Sequence, residues 1–329
     1  MKDVYVGIDI GATWIRLALA NEKGILKPIK IPTPRDGLKL IRALINNTRK
    51  LLDSISSAKL ISIGIGSIGP LDLKKGTLED PANLPVGIVN VVEPLEEEFN
   101  VPVYLLNDCS AGVIGEKTFG AGKDVSNLVY ITISTGIGGG AIVDNHLLFG
   151  KDGNAVEIGH IVVDFEARLK CGCGGYGHWE AYASGANIPN FAKMLIENEY
   201  ASLFKESLIY RMINGDLDKL DAKMLYDAAL KNDKLALEII NRINEINTVG
   251  IASVINIFDP ELITLGGAII LNNRDLILPY IKKHLHNYTI NRIPSIEITP
   301  LGENIVLHGA IALAMNPDFI IEKFRKPYH

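Results

Sequence analysis

Between residues 157 and 180 the chain gathers Glu157, His160, the pair Cys171-x-Cys173, His178 and Glu180 among closely spaced glycines. His160, Cys171, Cys173 and His178 supply four borderline-soft donors, the set that a tetrahedral structural zinc takes. The alternative is that both cysteines are only small residues in a glycine-rich turn, which leaves the two nearby histidines without a reason. Carboxylates suit a closed Cys/His site less well. Glu157 and Glu180 are therefore left to accept hydrogen bonds from a ligand rich in hydroxyl groups. Cys109 stands apart and reads as a small buried apolar residue.

Two turns elsewhere suit phosphate. In the first, Asp9-x-Gly11-Ala12-Thr13, an acid ends an apolar run, a glycine admits close backbone approach, and a hydroxyl opens the next run. Backbone N–H groups and the Thr13 hydroxyl can hold phosphate oxygens there, and Asp9 can orient water around Mg²⁺. Read alone, the same residues make an ordinary hairpin. The second turn, Ser134-Thr135-Gly136-Ile137-Gly138 and on to Gly140, is denser in glycine. It lacks the Lys-Ser/Thr of a P-loop, and a strand follows it where a dinucleotide fingerprint needs a helix. Together the two turns point to one nucleotide. Asn107-Asp108 ends another apolar run; an acid there either caps a helix or faces a ligand at a strand's carboxyl end, and the two are compatible. Gly266-Gly267 is open to two readings, a flat backing for an adenine ring or close helix–strand packing.

These residues need elements to hold them. Residues 4–10 form a short apolar run, 11–12 a turn, 14–20 a second run, and 21–24 another turn. The same order returns at 128–134, 136–140, 141–143 and 144–145, which suggests a duplicated core with one copy per domain. Helical periodicity covers 38–52, and 60–65 and 101–106 read as buried strands. Beyond the cysteines, helices are expected at 188–198, 223–229, 234–258 and 306–315, with a strand at 261–265. Alternating strands and helices give the α/β class. The repeat places the expected domains at 1–107 with about 313–329, and at 108–312.

Composition limits the function. At 329 residues, two domains are the prior. With 47% hydrophobic and 22% charged residues the balance is that of a globular protein. A formal net charge of -5 argues against sequence-independent nucleic-acid binding. Three cysteines do not form a disulfide framework and fit a reducing compartment. The first residues show no secretory pattern and no apolar run reaches the length of a membrane span, so the expected location is the cytoplasm.

In order and spacing, Asp9-x-Gly-x-Thr13, Asn107-Asp108, Thr135-Gly-Ile-Gly-Gly-Gly140, Glu157-x-Gly-His160 and Cys171-x-Cys-Gly-x-x-Gly177-x-x-Glu180 resemble the ROK family of repressors, open reading frames and sugar kinases. The resemblance implies an actin-like ATPase (ribonuclease H-like) fold of two α/β domains, closing over a cleft that holds ATP and Mg²⁺ opposite a hexose. It implies phosphorylation of the 6-hydroxyl of a hexose, glucose first, with N-acetylmannosamine or N-acetylglucosamine and then fructose as alternatives. A non-catalytic sugar sensor is the reading from another class. By matching position, Asp108 is the expected catalytic base. Gly69, Asn83, Asn107, Glu157, His160 and Glu180 are the expected sugar contacts. Asp9, Gly11, Ala12, Thr13, Thr135, Gly136, Gly138, Gly266 and Gly267 are expected at the nucleotide. His160 serves twice, one ring nitrogen on zinc and the other towards the sugar. The chain departs from the family pattern at His178, where a third cysteine is usual, and at Ala12, where a second glycine is usual. A Cys₂His₂ zinc site is therefore expected. Strand one starts too early for a helix-turn-helix, so no DNA partner is expected; a homodimer or homotetramer is.

Overall fold

The structure, a computed structural model, describes residues 2–21, 24–81 and 83–319. The end of the expected terminal segment, 320–329, lies outside the described residues. Strand β1 (Lys2–Ile10) pairs antiparallel with β2 (Trp14–Asn21), which pairs antiparallel with β3 (Gly24–Pro32). Helix α1 (Gly37–Asp53) follows, its first turn capped by Asp36, which accepts the Lys39 N–H, and its inner face made of Leu40, Leu44, Thr48 and Leu51. Strand β4 (Ala58–Ser67) returns parallel to β1. A small sheet of β5 (Leu71–Asp72), β6 (Thr77–Glu79) and β7 (Ile88–Asn90) comes next, then α2 (Glu93–Phe99) and β8 (Val103–Asn107). The main sheet runs β3-β2-β1-β4-β8. Its register sets Ile10 opposite Ser67 and Ser67 opposite Asn107, so the parallel strands end level. That carboxyl edge is where open α/β sheets bind ligands.

Helix α3 (Asp108–Thr118) starts directly at that edge. Strands β9 (Leu128–Ile133), β10 (Ile137–Val143) and β11 (His146–Leu147) then repeat the opening arrangement. The expected turn at 136–140 is shorter than the sequence suggested, because Gly138 to Gly140 already belong to β10. Packing explains a glycine run inside a strand: a Cβ on Gly140 would lie 2.3 Å from the Cys109 carbonyl oxygen.

A helical stretch follows, α4 (Glu180–Ala183), α5 (Ile188–Asn198), α6 (Ala201–Glu206), α7 (Leu208–Ile213), α8 (Ala222–Leu230) and α9 (Lys234–Phe258). Asp221 and Asp233 cap α8 and α9 by accepting the Met224 and Ala236 N–H groups. Strand β12 (Leu262–Gly266), helix α10 (Ala268–His284), kinked at Asn273, and strand β13 (Ser295–Ile298) complete the second sheet, ordered β11-β10-β9-β12-β13. In both sheets the strands stand third, second, first, fourth, fifth in their own chain order. The core is duplicated.

The last helix, α11 (Ile305–Met315), packs on α3, β1 and β4. Its approach to α3 leaves no room for a side chain at Gly309, whose Cβ would sit 1.7 Å from the Ala111 carbonyl oxygen. The residues group into two compact units. One holds the described residues up to Tyr130, Gly140–Val156 and those from Thr299 onward; the other holds Ile131–Gly139 and Glu157–Ile298. No described helix is long and apolar enough to cross a membrane.

Candidate active site and metal-type loop

In the first unit the site is built on the level edge of the parallel strands. Asp9 sits near the end of β1 and is 5% exposed. Register places Arg16 of β2 directly opposite, and its guanidinium meets the Asp9 carboxylate at 3.1 Å while reaching Glu303 at 3.3 Å. Burial pushes the Asp9 carboxyl up from 3.8 to about 7. Arg16 opposes that rise, and the nearby charge of Asp108 adds to it. Desolvation outweighs the ion pair. In the turn itself, the Gly11 N–H closes the hairpin on the Trp14 carbonyl at 3.0 Å and the Gly11 carbonyl accepts the Thr33 hydroxyl at 2.7 Å. Ala12 is half-buried and Thr13 exposed at the tip.

Asn107 ends β8 and caps α3, its side-chain oxygen accepting the Cys109 N–H at 2.9 Å. The Asp108 carboxylate accepts the same N–H at 2.8 Å. As the first residue of α3, Asp108 lies in the positive field of a helix start, which favours its anion. The capping reading of Asn107 is what the structure shows, and Asp108 stands half-buried beside it at the strand edge. Gly69 lies within 3.5 Å of the Asn107 side-chain nitrogen when given a Cβ. Asn83 is exposed in the turn before the buried Leu84.

In the second unit, the short 3-10 turn Ile158–His160 carries His160, with Glu157 just before it. The loop beyond is pinned by single bridges, Val162 with His178 and Lys170 with Tyr176. The Cys171 N–H donates to the Gly175 carbonyl at 2.7 Å, and the Gly174 N–H returns to the Cys171 carbonyl at 2.9 Å. Asp164 anchors the loop. It accepts from the Arg168 side chain at 3.0 Å and from the Tyr182 hydroxyl at 2.5 Å, and these donors hold its carboxyl below 3.8 against the upward pull of burial.

The result is a compact donor cluster. One donor atom from each of His160, Cys171, Cys173 and His178 lies within 4.8 Å of all the others. Cys173 Sγ is 3.2 Å from His178 Nδ1, and Cys171 Sγ is 3.8 Å from His160 Nδ1. A regular zinc tetrahedron with these donor types has edges of roughly 3.3–3.8 Å, and donor separations reaching 4.8 Å make the cluster a candidate metal site whose side chains would have to draw together to close on an ion. Burial pushes the Cys171 thiol up to about 11, so without a metal it stays protonated. His160 Nδ1 faces the cluster, and its Nε2 lies 4.0 Å from Glu157. The Glu157 side chain is 55% exposed, so the upward push on its carboxyl from burial and from the Glu180 charge is screened by water and carries no stability argument.

Glu180 begins α4, and its Oε2 accepts the Ile137 N–H at 2.8 Å. Thr135 and Gly136 immediately precede Ile137 in the second turn, and Gly138 follows it inside β10. Gly267 has φ +87 at the start of α10, and a Cβ there would lie 2.5 Å from the Ile133 carbonyl oxygen. The start of α10 thus packs closely on β9 at Gly267, a contact compatible with either reading of the glycine pair. Sequence reading missed Arg16, Glu303 and the Glu180–Ile137 bond. Only Arg16 had a local signal, as a charged residue within an apolar strand.

The ROK family's sequence profile matches residues 5–316. The chain belongs to the ROK family. It is 36% identical to a glucokinase of Pyrobaculum calidifontis over 98% of this chain and 99% of that one. Among solved structures, a ROK hexokinase from Thermus thermophilus superposes with TM-score 0.80 at 27% identity, covering 95% of this chain and 98% of that chain. A ROK glucokinase from Streptomyces griseus, in complex with glucose and AMPPNP, gives TM-score 0.75 at 29% identity, covering 95% of this chain and 99% of that chain. The duplicated sheets are those of the actin-like α/β fold of these ROK enzymes.

Proposed function

We propose that this ROK protein is an ATP-dependent hexose kinase that phosphorylates the 6-hydroxyl of glucose. The observation that carries the reading is the near-complete match to glucokinases, 36% identical over 98% of the chain. Asp108 at the head of α3 supports it, because a base must stay ionised and a helix N-terminus favours the anion. Asp108 accepts the proton of the sugar 6-hydroxyl as that oxygen bonds to the γ-phosphorus and the bond from phosphorus to the β,γ-bridging oxygen breaks. Asn107, Gly69, Asn83, Glu157, His160 and Glu180 orient the sugar. Asp9, Gly11, Ala12, Thr13, Thr135, Gly136 and Gly138 position the phosphates, with Gly266 and Gly267 at the adenine side. When bound, Mg²⁺ offsets charge on the transferring group, and Asp9 would orient its water. Positioning and electrostatics dominate phosphoryl transfer, which suits a site of backbone turns and one acid.

His160, Cys171, Cys173 and His178 would hold a structural zinc, which would clamp the loop that carries Glu157 and Glu180. Were Nδ1 to hold the metal, His160 Nε2 would be left to face the sugar. The cytoplasm, where ATP is made, and assembly as a dimer or tetramer belong to the same reading. Domains 1–107 with about 313–329, and 108–312, remain the functional division we propose. The test is a panel of glucose, mannose, N-acetylmannosamine, N-acetylglucosamine and fructose with ATP, read as kcat/KM. Glucose should lead; a higher value for an N-acetylhexosamine would overturn the substrate, and no turnover with any sugar would favour the sensor.

A further inference from the structure

Glu180 faces two ways within the second unit. Its Oε2 accepts the Ile137 N–H at 2.8 Å, while its Oε1 lies 3.7 Å from Cys171 Sγ in the metal-type loop. A Cβ on Gly136 would sit 2.6 Å from the same Oε2. Gly136 is not among the residues with positive φ, and the nearest atom a Cβ there would meet is this carboxylate oxygen, the end of a flexible side chain. The far end of α4 holds the same turn. The Gly185 N–H donates to the Ser134 carbonyl at 2.7 Å, and the Ala186 N–H donates to the Thr135 carbonyl at 3.1 Å. The segment that begins with Glu180 therefore grips the turn between β9 and β10 on both sides.

A carboxylate has the wrong sign to attract phosphate. Its place against this turn makes sense as geometry: it engages one N–H, which removes Ile137 from the phosphate donors, and fixes the direction of the rest. We propose that Glu180, besides facing the sugar, is the positioning residue of the second phosphate turn, and that Gly136 is glycine so that this carboxylate can reach Ile137. The ligand affected is the polyphosphate of a nucleotide. The proposal rests on the kinase reading above.

The test is ADP·Mg²⁺ affinity by isothermal titration calorimetry with no sugar present, which separates this role from sugar contact. Glu180→Ala should weaken ADP about tenfold, the scale of one charge-assisted hydrogen bond. Gly136→Ala should cost a similar factor, because its methyl displaces the carboxylate. The double variant should be no weaker than the weaker single one, since both changes break the same contact. Glu180→Gln, whose amide oxygen can still accept the Ile137 N–H, should stay within about threefold of the unaltered protein. Losses that simply add, or ADP affinity unchanged in Glu180→Ala with its circular dichroism intact, would overturn the proposal. If Glu180→Ala does not fold, Gly136→Ala decides alone, unchanged affinity sinking the idea. An unaltered protein that binds neither ADP nor an ATP analogue would remove the kinase reading, and the proposal with it.

Discussion

Replacing Asp9 by Asn tests how the site's most buried charge is balanced. The Asp9 carboxyl is pushed up from 3.8 to about 7, so the folded state holds its proton more tightly than the unfolded chain does. The unfolded chain ionises above pH 3.8 and the folded one only near 7. Stability from this group is therefore fully present at low pH, falls between about pH 4 and 7, and is flat above. The difference of about 3 pH units corresponds to roughly 4 kcal/mol, or about 1.4 kcal/mol per pH unit. At 5% exposure little solvent screening reduces it. Asn cannot titrate. The assay is urea unfolding of both proteins at intervals from pH 4.5 to 8, without nucleotide or Mg²⁺. The stability of Asp9→Asn relative to the unaltered protein should rise with pH and level off near 7. Loss of the Arg16 partner adds an offset, but Arg16 stays charged throughout, so the slope is the clean readout. A flat difference, or one falling with pH, would mean that Arg16 at 3.1 Å outweighs desolvation, and would refute the reasoning.

Three further outcomes follow from the packing and the metal-type cluster. Protein prepared without chelator should carry about one zinc per chain by elemental analysis, and Cys173→Ser should lower that content; none in the unaltered protein would contradict the clamp. Zinc removal should lower the thermal midpoint and raise the glucose KM, since the loop carrying Glu157 and Glu180 loses its tie. Gly309→Ala should destabilise by about 3 kcal/mol or more, read as the denaturation midpoint, because a methyl would meet the Ala111 backbone oxygen and not a flexible side chain.

What could be seen in the sequence was what repeats or clusters locally. The opening hairpin, β4, α9 and the donor cluster all show in composition and spacing over short windows. Strand β3 did not, because its Lys-Pro-Ile-Lys-Ile-Pro stretch lies at the sheet edge, mostly off the core, and takes its pairing from β2. Strands β5, β6 and β7 are two or three residues long, too short for any period to register. Gly250 sits in the interior of α9 because the Trp179 ring fills the space a Cβ would need, 2.3 Å away. Trp179 also donates its indole N–H to Asn247 at 2.9 Å. Such contacts join residues far apart in the chain, as do Arg16 with Glu303 and Ile137 with Glu180. Spacing does not encode them, because they come from register and helix docking.

The central claim is that Asp108 takes the proton in a sugar-kinase reaction. It is tested most directly by the steady-state kinetics of Asp108→Asn with glucose and ATP, alongside calorimetric glucose affinity. Asn keeps the size and the hydrogen bond to the Cys109 N–H but cannot accept the proton. The kcat should fall by at least about 10²-fold, with glucose affinity within a few-fold of the unaltered enzyme. A kcat near that of the unaltered protein would contradict the claim.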